Sequence, residues 1–224
     1  MIHPAVLVAM DIAGADEIYC MGGAQAIAAL AFGTETVKPV DLIAGPGNRF
    51  VAEAKRQVFG TVGIDSLAGP SEVLVLADET ANPTYVAIDL LGQAEHDPNA
   101  KPILVCTSEK VIDEAMVELQ RLLPTLETQD VAAQAWKDNG AIYLADSMDE
   151  AIDISNDIAP EHLEVQVKDE REVAKKLLHY GSMFVGHYAP VAFGDFVSGP
   201  NHTLPTMRTA RYSNGVWVGT FIKT

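Results

Sequence analysis

Short apolar runs alternate with amphipathic stretches along nearly the whole chain. Runs rich in β-branched and other apolar residues, bounded by Gly, Pro, Asp or Asn, predict strands at residues 17–21, 41–44, 73–77, 103–107, 141–145 and 163–167. Apolar residues at helical spacing predict helices at residues 1–16, 24–31, 49–59, 83–96, 109–123, 148–156 and 170–180. This alternation predicts an α/β fold of Rossmann-like type, with mostly parallel sheets covered by helices on both faces.

Changes in composition divide the chain. The Gly- and Pro-rich residues 60–71 mark a crossing between two incomplete domains, which we place at residues 1–70 and 71–224. Residues 195–211 lack periodicity and predict a long functional loop at the end of the second domain. The first helix has no strand before it, and an apolar aromatic run directly precedes the last two residues, Lys223 and Thr224. Because a parallel βαβ unit needs a strand on each side of its helix, we expect segments to be missing at both ends.

Charge and cysteine content narrow the choice of partners. The formal net charge is -16, which opposes binding to nucleic acid or to an anionic membrane surface. Cys20 and Cys106 each lie in an apolar run, as buried thiols do, and we expect a reducing compartment. The sequence contains no apolar stretch of membrane-spanning length and no signal-peptide pattern at its start. We therefore expect a cytoplasmic protein.

A possible metal site lies between residues 71 and 96. If residues 86–96 are helical, Gln93 and His96 project from one helix face at positions i and i+3, where both can bind one metal ion. Ser71 precedes a predicted strand, and we expect it at the carboxyl side of the sheet, where open α/β folds bind ligands. Alternatively, His96 is only a residue near a helix end that satisfies its last carbonyls.

Three polar positions lie in the second half of the chain. The adjacent Glu161 and His162 open a predicted strand, as a site needs when one group accepts a proton and its neighbour activates water. Asp195 follows a glycine, so we expect its carboxylate to leave a tight turn. His202 lies between two prolines that stiffen its loop. Ordinary loop polarity, an Asx turn and a loop histidine are the alternative interpretations.

Two glycine-containing segments open predicted helices. Gly22-Gly23 and Gly45-Pro46-Gly47-Asn48 follow predicted strands, where backbone amides can contact phosphates. Neither has the Gly-x-Gly-x-x-Gly spacing, so by spacing alone the dinucleotide signal is weak.

Several of these segments together resemble the histidinol dehydrogenase family. The resemblance covers essentially all 224 residues. The matching motifs are Gly22 to Ala28, Gly45 to Asn48, Ile64 to Glu72, Gln93 to His96, Pro160 to Glu164 and Gly199 to Thr206. The family implies two incomplete Rossmann-like domains, the first of them NAD-binding, in a homodimer that exchanges its terminal segments.

The resemblance also implies roles for individual residues. It makes Gln93, His96 and Asp195 zinc ligands, and it makes Glu161 and His162 the catalytic acid/base pair. Gln25 and Asn48 are implied to bind NAD. The implied contacts to the substrate, a small amino alcohol, are Ser71, Gln93, His96, His162 and Asp195. His202 is implied to lie at the edge of the site without a defined role. The implied reaction is the NAD-dependent, zinc-assisted oxidation of L-histidinol to L-histidine through the aldehyde.

Two departures from the family pattern leave alternatives open. A last zinc ligand and a substrate-binding Glu belong to a C-terminal tail in the family, and the chain ends before such residues. We therefore expect this chain to be inactive alone. Residues 210–224 look more like relatives that oxidise sulfonated diols. The alternatives are thus a dehydrogenase of a related alcohol such as sulfopropanediol, and a catalytically silent family member.

Overall fold

The computed structural model describes residues 2–196 and 198–223. These residues form two compact units. Residues 2–43 and 47–64 make up the first unit, and residues 44–46 and 65–223 make up the second. No helix in the described ranges is both long and apolar enough to cross a membrane.

The first unit is a small helical cluster with one pair of very short strands. Its helices are Pro4–Ile12 (α1), Gly23–Phe32 (α2) and Arg49–Val58 (α3), and its parallel strands are Leu42–Ile43 (β1) and Gly63–Ile64 (β2). Apolar side chains of α2, α3 and these strands form its core, which contains Ile27, Ala31, Ile43, Val58 and Val62. The core includes no side chain of α1, whose residues are all at least partly exposed.

One strand expected in the first unit is absent. Residues 17–21 are irregular and mostly exposed, so the prediction of a strand there is wrong. Their backbone pairs with neither β1 nor β2, and an unpaired extended segment gains no ladder hydrogen bonds. Cys20 is accordingly an exposed free thiol, not a buried one, whereas Cys106 is buried as expected.

The second unit alternates strands and helices. Its strands are Glu72–Ala77 (β3), Lys101–Cys106 (β4), Ala141–Leu144 (β5), His162–Gln166 (β6) and Ser182–Val185 (β7). Its α-helices are Pro83–Ala94 (α4), Glu109–Leu122 (α5), Gln129–Asn139 (α6), Met148–Ile158 (α7), Glu170–Ala174 (α8) and Ala192–Phe196 (α9). Helix α8 is shorter than the helix predicted over residues 170–180, and the sequence pattern did not indicate α6, β7 or α9.

The strands of the second unit form one parallel sheet in the order β5-β4-β3-β6-β7. The chain therefore begins with the central strand β3 and adds β4 and β5 on one side. It then adds β6 and β7 on the other side of β3. Alternate residues of β3 pack into two cores, with Val73 and Val75 toward α4, α5 and α6, and Leu74 and Leu76 toward α7 and α8. Helices cover both faces, so the predicted α/β fold is confirmed.

Candidate active site

The candidate catalytic residues gather at the amino edge of the parallel sheet. Ser71 directly precedes β3, and Glu161 and His162 lie at the start of β6, with His162 paired to Val73. The expectation that the site lies at the carboxyl side of the sheet is therefore wrong. The reason is topological, because a crossover helix runs antiparallel to its strands and ends at their amino edge. Helix α4 thus brings Gln93 to the same edge as Ser71.

A strained turn precedes Glu161 and His162 in the chain. Helix α7 ends at Ile158, and the fully buried Ala159 adopts a left-handed conformation with φ of 51° before Pro160. A non-glycine residue in this region costs about 1–2 kcal/mol, which the surrounding packing must offset. Gly181 also approaches this turn closely, since a Cβ there would lie 2.5 Å from the Glu161 carbonyl oxygen. The close packing fixes where the chain enters β6.

Glu161 is a buried carboxyl held by the entrance of β3. Its Oε2 accepts the backbone N–H of Glu72 at 3.0 Å, and it also forms a hydrogen bond with the Ser71 side chain. Burial raises the pKa of Glu161 to about 7, and the nearby Glu72 charge adds to this effect. A carboxyl with this pKa is available both as acid and as base near neutral pH.

His162 is the central side chain of the site. Its Nδ1 lies 2.9 Å from the Glu72 carbonyl oxygen and 3.6 Å from Glu161 Oε2. Because a carbonyl oxygen can only accept a hydrogen bond, Nδ1 must be the donor. Burial lowers the pKa of His162 to about 4, so the ring is neutral at physiological pH. With the proton on Nδ1, Nε2 carries the lone pair and is the basic nitrogen of the ring.

Two residues near β7 complete the surroundings of His162. His202 Nε2 lies 3.2 Å from His162 Nε2 and 3.1 Å from Asp195 Oδ1, and the two imidazole rings stack with centroids 5.0 Å apart. Asp195 lies within the short helix α9, so the expected tight turn after Gly194 is not found. The structure does bring Asp195 and His202 together beside His162.

The predicted pair of metal ligands on α4 has a different local geometry from that expected. The helix ends at Ala94, so His96 lies beyond it, although its backbone N–H still bonds the Gln93 carbonyl at 3.2 Å. The charges of both His96 and Asp195 act on the His162 ring, which places all three in one neighbourhood. Gln93 is 7% exposed.

These residues do not form a closed metal site on their own. Within the described part of the chain, no three His, Cys, Asp or Glu side chains are arranged to hold a metal ion. The predicted set contains only two residues of these types, and its third member is the amide of Gln93. Imidazole and carboxylate are ligand types that zinc binds, so the chemistry of His96 and Asp195 fits a metal, and the zinc assignment stays a prediction.

The two predicted NAD ligands lie in the first unit, each near a helix start. Gln25 is exposed in the first turn of α2. Asn48 is the N-cap of α3, and its Oδ1 accepts the backbone N–H groups of Phe50 and Val51 at 3.0 and 3.2 Å. Helix N-termini favour anionic groups such as phosphates, so both places are compatible with a dinucleotide. Their role in binding NAD stays a prediction.

A second polar cluster was missed in the sequence. Glu164, only 1% exposed, hydrogen bonds with Asp89 of α4, and its Oε1 accepts the Val191 backbone N–H at 3.0 Å. Gln166 Nε2 donates to Asp89 at 2.7 Å and to Glu164 at 3.2 Å. The signal was present, because His162, Glu164 and Gln166 alternate with apolar residues along β6 and so define a polar face of a buried strand.

Fold and site together define a doubly wound α/β protein with a buried acid and imidazole pair at the amino edge of its sheet. The family model for histidinol dehydrogenase matches residues 1–224. The chain is 52% identical over 222 residues to histidinol dehydrogenase 1 of Nostoc sp. strain PCC 7120, covering 99% of this chain and 52% of that protein. It is 52% identical over 223 residues to histidinol dehydrogenase of Ruegeria pomeroyi, covering 99% of this chain and 51% of that protein. The chain belongs to the histidinol dehydrogenase family.

A solved structure agrees with this assignment. The crystal structure of histidinol dehydrogenase from Elizabethkingia anophelis superposes with a TM-score of 0.94 at 43% identity. The match covers 99% of this chain and 51% of that one. The chain thus spans about half the length of the relatives it matches.

Proposed function

We propose that the full-length protein oxidises L-histidinol to L-histidine through the aldehyde, with NAD as electron acceptor and zinc as the bound metal. Membership of the histidinol dehydrogenase family supports the reaction class. The observation that carries the proposal is the pairing of Glu161 and His162. One residue, Glu72, holds both side chains through its backbone N–H and carbonyl.

The two side chains divide the proton chemistry. His162 presents the Nε2 lone pair and accepts the proton of the alcohol as hydride leaves for NAD. Glu161, with a pKa near 7, takes a proton from water for attack on the aldehyde before the second oxidation. Their environments separate their pKa values, His162 downward and Glu161 upward, which allows the two groups different roles.

Zinc would be held by Gln93, His96 and Asp195, and the same residues with Ser71 and His162 would contact the substrate. A bound zinc ion supplies Lewis acidity, which makes an alcohol acidic enough for a base whose pKa is about 4. Gln25 and Asn48 would contact NAD. The electrostatic interactions of His96 and Asp195 with the His162 ring, which bring both residues to the catalytic pair, support the zinc assignment.

We further propose that the protein acts as a homodimer in the cytoplasm. The free thiols of Cys20 and Cys106 support a reducing compartment. Sedimentation of the full-length protein tests the dimer, and a monomer at micromolar concentration would contradict it.

The decisive experiment is a turnover assay of the zinc-loaded full-length protein that follows NADH. We expect L-histidinol to yield about two NADH per substrate, because two hydrides leave between the alcohol and the acid. Dihydroxypropanesulfonate serves as the competing alcohol. Turnover of the sulfonated diol without turnover of histidinol would refute the proposed substrate, and no NADH from either would refute the activity.

Metal binding is tested separately from turnover. Gln93→Ala and His96→Ala should each lower the zinc content of the purified protein measured by mass spectrometry. Ser66→Ala changes a side chain outside the proposed ligand set and serves as the control. Full zinc occupancy in both ligand variants would contradict the ligand set.

A further inference from the structure

The entrance of β3 contacts a distant segment of the chain as well as the catalytic pair. The backbone N–H of Gly69 donates to Thr206 Oγ1 at 2.6 Å, and Met207 N–H donates to Glu72 Oε1 at 3.3 Å. The Glu72 side chain is 5% exposed and also receives Lys101 Nζ at 2.9 Å. Gly69 and Glu72 are therefore joined to the consecutive residues Thr206 and Met207.

The segment held in this way carries His202. The residues that follow His202 pack tightly against Gly215, since a Cβ there would lie 2.3 Å from the Thr203 carbonyl oxygen. Met207 and Arg208 both adopt left-handed conformations, with φ of 51° and 65°. Side chains other than glycine favour this region poorly, so the surrounding contacts must offset the strain. The bond from Met207 N–H to Glu72 is one of them, and the bond from Thr209 N–H to the Thr206 carbonyl at 3.1 Å is another.

We propose that the Glu72 carboxylate is a positioning residue that sets the place of His202 against His162. This role rests on the proposed function for its catalytic consequence, but the contact itself does not. The Glu72 backbone fixes Glu161 and His162, while its side chain fixes the turn that follows His202. One residue thereby fixes the positions of both imidazole rings, whose Nε2 atoms are 3.2 Å apart.

The variants that test this role separate two contacts of the Glu72 carboxylate, the bond from Met207 and the ion pair with Lys101. Glu72→Met keeps the length of the side chain but leaves Met207 N–H without an acceptor. Glu72→Gln keeps an oxygen for that bond and removes the charge, and with it the ion pair with Lys101. Lys101→Met breaks the ion pair and leaves the bond from Met207 in place, so it is the matched control.

The first readout is hydrogen exchange of full-length protein without substrate. We expect amide exchange over residues 201–208 to rise about tenfold in Glu72→Met, as loss of one buried hydrogen bond allows. Glu72→Gln and Lys101→Met should exchange as the wild type does. Unchanged exchange in Glu72→Met, or an equal rise in Lys101→Met, would overturn the proposal whatever the enzyme catalyses.

The second readout is a double-mutant cycle with His202→Ala, measured as kcat for histidinol. Misplacing a group at a reacting centre by about 1 Å costs up to about a hundredfold, so we expect a loss of this order in Glu72→Met. Glu72→Gln loses the same charge beside Glu161 and is therefore the reference. If Glu72 acts through His202, Glu72→Met and Glu72→Gln should have similar kcat in the His202→Ala background. Independent, multiplying losses would overturn the role through His202. A wild-type protein without activity would refute the proposed function. The hydrogen-exchange result would then test by itself whether the Glu72 side chain holds the turn that follows His202.

Discussion

His162 Nδ1 donates to the main-chain carbonyl of Glu72 at 2.9 Å across the two central strands of the sheet. The bond fixes the tautomer, since the proton must lie on Nδ1, and it leaves Nε2 as the proton acceptor. The partner is a backbone group, so a change of side chain at position 72 leaves this tautomer in place.

We predict that His162→Asn retains the fold and loses most activity. Its amide can still donate to the Glu72 carbonyl, but no basic nitrogen remains at the position of Nε2. General base catalysis contributes about a hundredfold to ten thousandfold, so kcat for histidinol should fall by that order. A thermal melt should show nearly unchanged stability. Activity within threefold of the wild type would show that another group is the base.

Replacement of Glu161 should separate the two oxidations. Glu161→Gln keeps the acceptor for the Glu72 N–H but cannot take a proton from water, so aldehyde oxidation should fall about a hundredfold and alcohol oxidation much less. In the wild type, aldehyde oxidation should rise as pH increases through about 7, where the carboxylate forms. Single-turnover kinetics with each substrate measure both rates. Equal losses in the two steps would remove the assigned division of roles.

The sequence pattern predicted the elements of the second unit better than the place of its site. Buried strands such as residues 73–77 are recognisable because every residue is apolar. The edge of the sheet that carries Ser71 and Glu161 depends on strand direction and on where α4 ends, which are long-range properties. The strand expected over residues 17–21 shows the same limit, because local propensity cannot supply a partner strand.

Part of the candidate site could be predicted from the sequence. The adjacent Glu161 and His162 stand out as chemistry-bearing residue types at a strand start. The bonds through the Glu72 backbone could not be predicted, since every residue has the same main-chain groups. Asp89 and Glu164 lie 75 positions apart in sequence, and only the packing of α4 on β6 brings them together.

Asn48 offers a test that separates capping from cofactor binding. Asn48→Asp keeps an oxygen that accepts from Phe50 and Val51, whereas Asn48→Ala loses it and should cost about 1 kcal/mol of stability. The aspartate removes the amide donor and adds negative charge beside the proposed NAD phosphates. We therefore expect wild-type stability and a KM for NAD raised at least about tenfold in Asn48→Asp. An unchanged KM would leave Asn48 with a capping role alone.

The buried pair of Glu164 and Asp89 should make stability depend on pH. Burial, together with the Asp89 charge and hydrogen bond, raises the pKa of Glu164 to about 9, from an ordinary value of 4.5. Burial also raises the pKa of Asp89. Between pH 4.5 and 9 the unfolded chain releases the Glu164 proton while the folded chain keeps it, so stability falls as pH rises through this window. Glutamine resembles the protonated form and does not titrate.

Glu164→Gln should therefore gain stability relative to the wild type as pH rises. We expect little difference in the free energy of unfolding at pH 5 and an advantage on the order of 2 kcal/mol at pH 8. This advantage is smaller than the full pKa shift would give, because buried pairs relax. Its amide can donate to Asp89, and its oxygen can accept from Val191, so the contact between α4 and β6 remains. Glu127→Gln removes an exposed carboxylate and controls for the loss of one charge. If the difference between Glu164→Gln and the wild type is the same at pH 5 and pH 8, Glu164 does not carry a proton in the folded protein.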